Sequence, residues 1–361
     1  MRKIIIIAIG LLAIGYTSAQ DITDAVRYSD DNINGTARFK AMSGAFGALG
    51  GDLSAVSINP AGSAFFTSSY ASFSVAYNDL KTDTNYFGSS NSNNEINFDL
   101  NQAGGVFVFK NTRSNSPLRK FVISINYEQT SNYDNEFFAS GVNNSSIDNY
   151  FLQYAQGLRL DEISAFDGES YTDAYGDIGA IYGYDNQQAF LGYESYILEP
   201  DSYNDDNTMY SSNVTPGSLY HEYSYYTNGS NNKLSFNGAM KFNENFYFGL
   251  NLNSHFVDYN RSTYLFESND NASSYIQEIG FENNLSTYGT GFSFQLGGIV
   301  KLNDIIRIGA SYDSPVWYNM NDETTQYLFA VRDDSGSAIT QVIDPRVVNV
   351  FEDYKIQTPD K

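Results

Sequence analysis

Residues 35–66 read GTARFKAMSGAFGALGGDLSAVSINPAGSAFF, and the meaning of this stretch decides the fold. It is rich in Gly, Ala and Ser, has a helical pattern, and stops at Asn59-Pro60-Ala61-Gly62. Pro60 ends the preceding helix and holds Asn59 in an extended or turn geometry, from which the Asn59 amide can bond nearby backbone. Ahead of the stretch lies an export signal: Arg2 and Lys3, an apolar run over 4–14, then Thr17-Ser18-Ala19. Residues 1–19 are therefore expected to be a cleaved signal peptide, the run being shorter than the about 20 residues of a membrane-spanning helix. Alternating strands follow. A small-residue segment between an export signal and a series of strands suggests a plug folded into a β-barrel.

Composition agrees. Aromatic residues make up 16% of the chain, with 30 Tyr and 26 Phe against one Trp, and Gly is frequent while Cys is absent. This mixture fits alternating strands with aromatic girdles and polar loops. Without Cys no disulfide staples the fold, so a closed sheet or sheer size must stabilise it. A net charge of −22 speaks against nucleic acid, because phosphate binding needs a basic surface. The acid concentrates in 160–232, which holds no Lys or Arg. It reads as a solvated loop surface in preference to a cation-bridged contact with lipopolysaccharide.

Period-2 alternation marks the strands. In 246–256, Phe246, Phe248, Leu250 and Leu252 share one face, and Tyr247, Gly249, Asn251 and Asn253 the other. In 119–128, Phe121, Ile123, Ile125 and Tyr127 oppose Val122, Ser124, Asn126 and Glu128. The stretches 233–242, 292–300 and 305–312 alternate as well, and 69–79, 102–110 and 346–356 do so more weakly. Short connections at 111–118, 243–245 and 302–304 then interleave with long ones at 80–95, 131–218, 267–284 and 313–345. That parity belongs to outer-membrane barrels, and a sandwich has no cause for it. The largest loop, 131–218, holds one helical stretch, with Ile147, Phe151, Tyr154 and Leu158 at intervals of three and four. This is either a helix packing its own loop or an apolar surface where a hydrophobic ligand lands.

The segment 38–57, the motif Asn59-Pro60-Ala61 and the strand at 69–79 are similar in kind and order to the start of the FadL/TodX family of outer-membrane transporters. The detailed similarity covers about 28–80. The resemblance implies an all-β, transmembrane antiparallel β-barrel of fourteen strands with an N-terminal helical hatch. About eight strands are present here, so a C-terminally truncated barrel is expected. An eight-stranded barrel would be filled by its own side chains and leave no space for a plug. The implied organisation is a signal peptide over 1–19, a hatch over 20–66 and a barrel over 67–361 with the extracellular loop 131–218. The implied function is passive uptake of long-chain fatty acids or other hydrophobic compounds, such as aromatic hydrocarbons, across the outer membrane of a Gram-negative bacterium. Asn59, Pro60, Ala61 and Gly62 would form the hatch motif. Lateral exit at an inward kink of the third strand is also implied, although 119–130 has no Gly or Pro to mark one. The expected partners are the hydrophobic ligand and outer-membrane lipid and lipopolysaccharide, with a monomeric protein and no cofactor.

Two other classes compete. An exported surface adhesin or structural β-protein shares the composition, and a haem-binding outer-membrane receptor could use His221 or His255 as axial ligand. An enzyme is not expected. The chain has two His and no Cys, and Ser254 and His255, adjacent on a strand, point to opposite faces. No metal-ligand cluster is legible.

Overall fold

The computed structural model describes residues 22–30, 32–113 and 115–361. The expected signal peptide lies outside them. The chain opens with helix α1 (Ile22–Ser29) and helix α2 (Ala37–Ala41), the latter capped by the Thr36 side chain accepting from the Phe39 amide. Of the helical pattern over 38–57, α-helix forms only to Ala41. Ser43, Gly44, Gly50 and Gly51 all take positive φ, which a right-handed helix cannot contain. The rest of the segment is turns and two short 3₁₀ helices, Ser54–Ser57 and Pro60–Phe65. Pro60 opens the second of these rather than closing a helix, with Asn59 extended at its N-cap.

The strands β1 (Tyr70–Tyr86), β2 (Ser89–Lys110), β3 (Leu118–Asn132) and β4 (Asn135–Asn143) follow. Next come α3 (Asp148–Ala155), α4 (Tyr171–Ile181), α5 (Tyr184–Glu194) and a small hairpin, β5 (Leu198–Pro200) with β6 (Tyr210–Ser212). The chain then builds β7 (Leu219–Phe242), β8 (Phe246–Ser268), β9 (Ile276–Lys301), β10 (Arg307–Asp313), β11 (Trp317–Asp334) and β12 (Ser337–Ile343). Two short strands, β13 (Asn349–Val350) and β14 (Tyr354–Gln357), line the edge of β11. Apart from β5 and β6, all belong to one antiparallel 12-stranded sheet whose main path is β1-β2-β3-β7-β8-β9-β11-β12. Among the described residues no ladder joins β1 to the other end of that path. Strands β10 and β11 run in succession along β9, interrupted at Ser314-Pro315-Val316.

The sheet is inside out relative to a soluble protein. On β8, Phe248 and Leu250 are 50% and 42% exposed, whereas Asn251 and Asn253 are 0% and 2% exposed. Neighbouring strands repeat the arrangement: Phe121, Ile123 and Ile125 face out on β3 while Ser124 and Asn126 are buried, and Leu296 faces out on β9 while Ser293 and Gln295 are buried. The N-terminal segment covers the buried polar face.

Two connections expected to be long loops are strand instead. Through 80–95, β1 and β2 keep their ladder to a two-residue turn at Phe87-Gly88, where both φ are positive as a type I′ turn requires. β11 and β12 likewise turn at Ser335-Gly336. The Ser, Thr and Asn of the β1–β2 hairpin read as loop by composition, but side-chain polarity does not stop a ladder that leaves both faces at least partly solvated. The connections at the opposite end, around 111–117, 243–245 and 302–306, are short.

The region 131–218 is also more ordered than one helical stretch. β4 extends the sheet along β7, and three α-helices and a hairpin follow. Ser170 caps α4 by accepting from the Asp173 amide, and α4 buries Ala174, Tyr175 and Ile178. α5 buries Ala189, Phe190 and Leu191, and Gly192 lies so close under Phe151 that a Cβ there would meet the Phe151 Cβ at 2.6 Å. Strand residues Ile276, Ile279, Phe281, Leu328, Ala330 and Ile343 complete this core, fastening the loop to the sheet. The buried amide of Gln326 ties it further, accepting from Tyr175 Oη at 2.7 Å.

Glu194, at the end of α5, accepts from the Ala165 amide at 2.8 Å, and burial raises its pKa above its ordinary 4.5. Its contribution to loop stability is therefore complete below about pH 4.5 and is lost as the pH rises through the raised value. Glu194→Gln keeps the acceptor without the charge. It is expected to slow amide exchange in 160–215 at neutral pH and to flatten the dependence of that exchange on pH. Exchange rates unchanged by the substitution would refute this.

Candidate functional site

Asn59 carries the densest set of contacts between the N-terminal segment and the sheet. Its Oδ1 accepts from the Ala61 amide at 3.0 Å, which fixes the Pro60–Phe65 turn. Its Nδ2 reaches three carbonyls: Gly47 at 2.8 Å, Gly298 on β9 at 3.2 Å and Ala310 on β10 at 3.3 Å. One amide group thus ties two parts of the segment to two strands. The four motif residues Asn59, Pro60, Ala61 and Gly62 are all buried.

The strands make room for this knot with glycine. A Cβ on Gly249 would lie 2.2 Å from the Pro60 carbonyl carbon, one on Gly297 2.1 Å from Asn59 Oδ1, and one on Gly309 2.2 Å from the Gly47 oxygen. Gly249 and Gly297 face each other across β8 and β9, and Gly309 follows on β10. The three form a socket across adjacent strands that any side chain would fill.

Around the socket, inward amides bond the segment's backbone. Asn237 donates to the Pro60 carbonyl at 3.0 Å and accepts from Ser63 Oγ at 2.5 Å. Asn251 donates to the Val56 carbonyl at 2.8 Å, Gln295 to that of Ser57 at 2.8 Å, and Asn126 to that of Leu53 at 3.4 Å. Lys120 Nζ closes the segment's end on the carbonyls of Ala64 at 3.0 Å and Phe66 at 2.6 Å. Asn126 and Asn251, which strand alternation sends to the inner face, thus touch the segment itself. Ser124 instead bonds Asn237, and Asn253 bonds Ser293.

The helix predicted over 147–158 is α3, and its four apolar residues lie in the core of the loop. Phe151 is fully buried, and Ile147, Tyr154 and Leu158 pack around it as partly buried neighbours. Glu267 of β8 holds the start of α3, accepting from Ser146 Oγ at 2.6 Å and from the Ile147 amide at 3.0 Å. The same carboxylate lies 3.2 Å from His221, close enough for an ion pair but not aligned for a hydrogen bond. His221 is buried and meets Tyr86 Oη at 2.9 Å. His255 is buried too, with Nε2 at 2.9 Å from Ser293 Oγ on the facing strand.

A seam opens beside β3. Its ladder with β2 ends at Gln102↔Glu128, while β2 continues to Ser89, paired among the described residues with β1 alone. The break between β3 and β4 falls at Tyr133-Asp134. Asn132 Oδ1 accepts from the Asp134 amide at 2.6 Å, an Asx-turn, and Gly229 of β7 accepts from the Tyr133 amide at 2.9 Å. The interruption is thus marked by Asn132 and by a glycine on the next strand, with no Gly or Pro within β3. A cleft of about 570 Å³ lies here, between Asn32, Ile33 and Asn34 and the polar residues Asp79, Asp99 and Asp134.

No family model, curated protein or solved structure matches the chain.

The socket yields a direct test. Gly249→Val or Gly297→Val is expected to unseat the segment, so that limited proteolysis cuts within 32–66. Gly238→Val, where a Cβ meets nothing within 4 Å, leaves the digestion pattern as it is. Asn59→Ala removes the cap and three donated bonds and is expected to cost about 1–3 kcal/mol. Wild-type protection in all three socket and motif variants would show that the socket does not hold the segment.

Proposed function

We propose that this chain is the plugged portion of an outer-membrane β-barrel of the FadL/TodX type, through which hydrophobic compounds such as long-chain fatty acids pass without energy input. The observation that carries this reading is the inverted sheet. A band of Phe, Leu, Ile and Val covers its exposed face, and Asn, Ser and Gln fill its buried one. On β8 the band runs from Phe246 to Phe256, about 33 Å along the strand at the usual rise. At the about 40° tilt of such barrels this projects to about 25 Å, the height of their apolar belt.

The N-terminal segment acts as the plug, and Asn59 as the latch that keeps it in the socket. An amphiphile leaving water needs an apolar path shielded from solvent. The seam between β2 and the interrupted β3–β4 supports a lateral exit at that position, since among the described residues no ladder joins β2 to β4 and side-chain contacts bridge the wall. Thr84 donating to the Phe138 carbonyl at 2.6 Å and Asn93 to that of Glu136 at 3.2 Å are two of them.

Membrane insertion is tested on Leu250, midway along the band. Leu250→Arg is expected to cost about 2–4 kcal/mol of folding stability in lipid vesicles. At an exposed site of a water-soluble protein the same change stays within about 0.5 kcal/mol, and that result would sink the barrel reading.

Transport is tested by locking the plug. Because residues 1–361 hold no native Cys, Ser63→Cys with Asn237→Cys creates the one pair of thiols within them. Oxidation is expected to abolish uptake of a fluorescent fatty acid by cells expressing the full-length protein, and a reductant to restore it. Uptake unaffected by the lock, or absent in the unlocked protein, would count against a gated channel.

A further inference from the structure

Arg261 stands on the inner face of β8, where the buried series Asn251, Asn253, His255, Val257 and Tyr259 continues beyond the apolar band. It pairs with Thr227 of β7 and Leu285 of β9. Arg27 of α1 reaches the Tyr259 ring at 4.0 Å, and the charge of Arg261 reaches Tyr184 of the cap helix α5. Arg261 thus lies between the N-terminal segment and the cap.

Its charge is unmatched. Nε is buried without a hydrogen-bond partner, and among the described residues the guanidinium forms no ion pair. By contrast, Arg27 meets Asp24 at 2.5 Å, and Arg332 meets Tyr275 Oη at 3.2 Å. The carboxylates of the surrounding strands are committed or averted. Asp322 of β11 accepts from Thr287 at 2.6 Å and from Tyr354 at 3.3 Å, and Asp134 accepts from the Gly229 amide at 3.2 Å. Alternation turns Asp258 and Glu282 to the opposite face. The acid of the cap sits on its outer surface, where Asp167, Asp173, Asp177, Asp201, Asp205 and Asp206 are exposed and salt screens them beyond about 8 Å. A cation drawn partly out of water without a partner is costly, and an anion that binds it recovers that cost.

The wall beside Arg261 is made of rings. Its charge also reaches the hydroxyls of Tyr223 and Tyr259. Tyr225 Oη lies 3.4 Å from Tyr259 Oη, and Phe137 stacks on Tyr225 with centroids 4.7 Å apart. Phe137, Tyr223 and Tyr225 are only partly buried, which leaves ring surface open on the inner side.

We propose that Arg261 receives the carboxylate of an aromatic acid whose ring system lies against these tyrosines, which makes arene carboxylates a ligand class of the protein. A guanidinium presents a planar fork that a carboxylate fills with two charge-assisted hydrogen bonds. Stacked or edge-to-face contact with Tyr223 and Tyr225 then favours a flat ring over a saturated one. The proposal rests on the uptake reading for access to this level, and adds to it a charge and a shape for the ligand.

The test is calorimetric titration of the full-length protein in neutral maltoside micelles with 2-naphthoate, 2-naphthamide and decahydro-2-naphthoate. The second lacks the charge, and the third lacks the aromatic ring. 2-Naphthoate is expected to bind about ten-fold or more tightly than the amide and about three-fold more tightly than the saturated acid. Arg261→Gln is expected to remove the advantage over 2-naphthamide while the amide keeps its wild-type affinity, and Arg261→Lys to restore part of it. Because the guanidinium is unpaired, folded Arg261→Gln is expected to melt no lower than wild type in the absence of ligand. A lower melting temperature would reveal a structural partner for Arg261 and overturn the site. Binding of 2-naphthamide with no advantage for 2-naphthoate, or an advantage that survives in Arg261→Gln, overturns the site and leaves the uptake reading standing. Equal affinity for the saturated acid overturns the aromatic ligand class. Binding of none of the three overturns both the site and the uptake reading.

Discussion

A sheet that turns Phe, Leu and Ile outward must find partners for the Asn, Ser and Gln it turns inward. Unpaired amides in a closed interior are costly, and water cannot reach most of them here. The N-terminal segment meets this demand with main-chain carbonyls. Its turns and 3₁₀ helices leave the carbonyls of Leu53, Val56, Ser57, Pro60, Ala64 and Phe66 open to a donor from the sheet, and inward side chains reach each of them. A continuous α-helix would have consumed those carbonyls internally. The Gly-rich sequence that breaks the helix is thus what allows the segment to dock.

Much of this was legible before any coordinates. The alternation at 246–256 identified both faces of β8, and the inward positions Ser124, Asn126, Asn251 and Asn253 follow from the same count. Asn59-Pro60-Ala61 stood out because Pro after Asn restricts the backbone and leaves an amide to be used. What stayed hidden was of three kinds. The hairpin through Phe87-Gly88 has polar residues on both faces, so nothing in its hydrophobicity separates strand from loop. Helices α4 and α5 carry Gly176, Gly179 and Gly192 and many acidic residues, so their packing shows only when Phe151 is placed against them. The socket is beyond one-dimensional reading, since Gly249, Gly297 and Gly309 become a unit only through register.

The same inversion of faces links the chain's acidity to its architecture. Outside the apolar band the strands run on as polar hairpins, and 131–218 folds over their far ends with a core of its own. The acidic residues there cover a structured cap fastened by Tyr175, Gln188 and Gln326, not a loose tether. In the proposed barrel this cap is the first surface that an incoming ligand meets.

The glycine socket also has a meaning for how the molecule is made. A slip of one residue between two strands sends every inward side chain to the opposite face. Gly249 would then no longer oppose Gly297, and a Leu or Phe would stand where Pro60 has to fit. Seating the segment therefore reads out whether β8, β9 and β10 have zipped in the native alignment. The interior knot works as a proofreader of strand pairing, completed by a part of the chain that is synthesised before any of the strands it inspects.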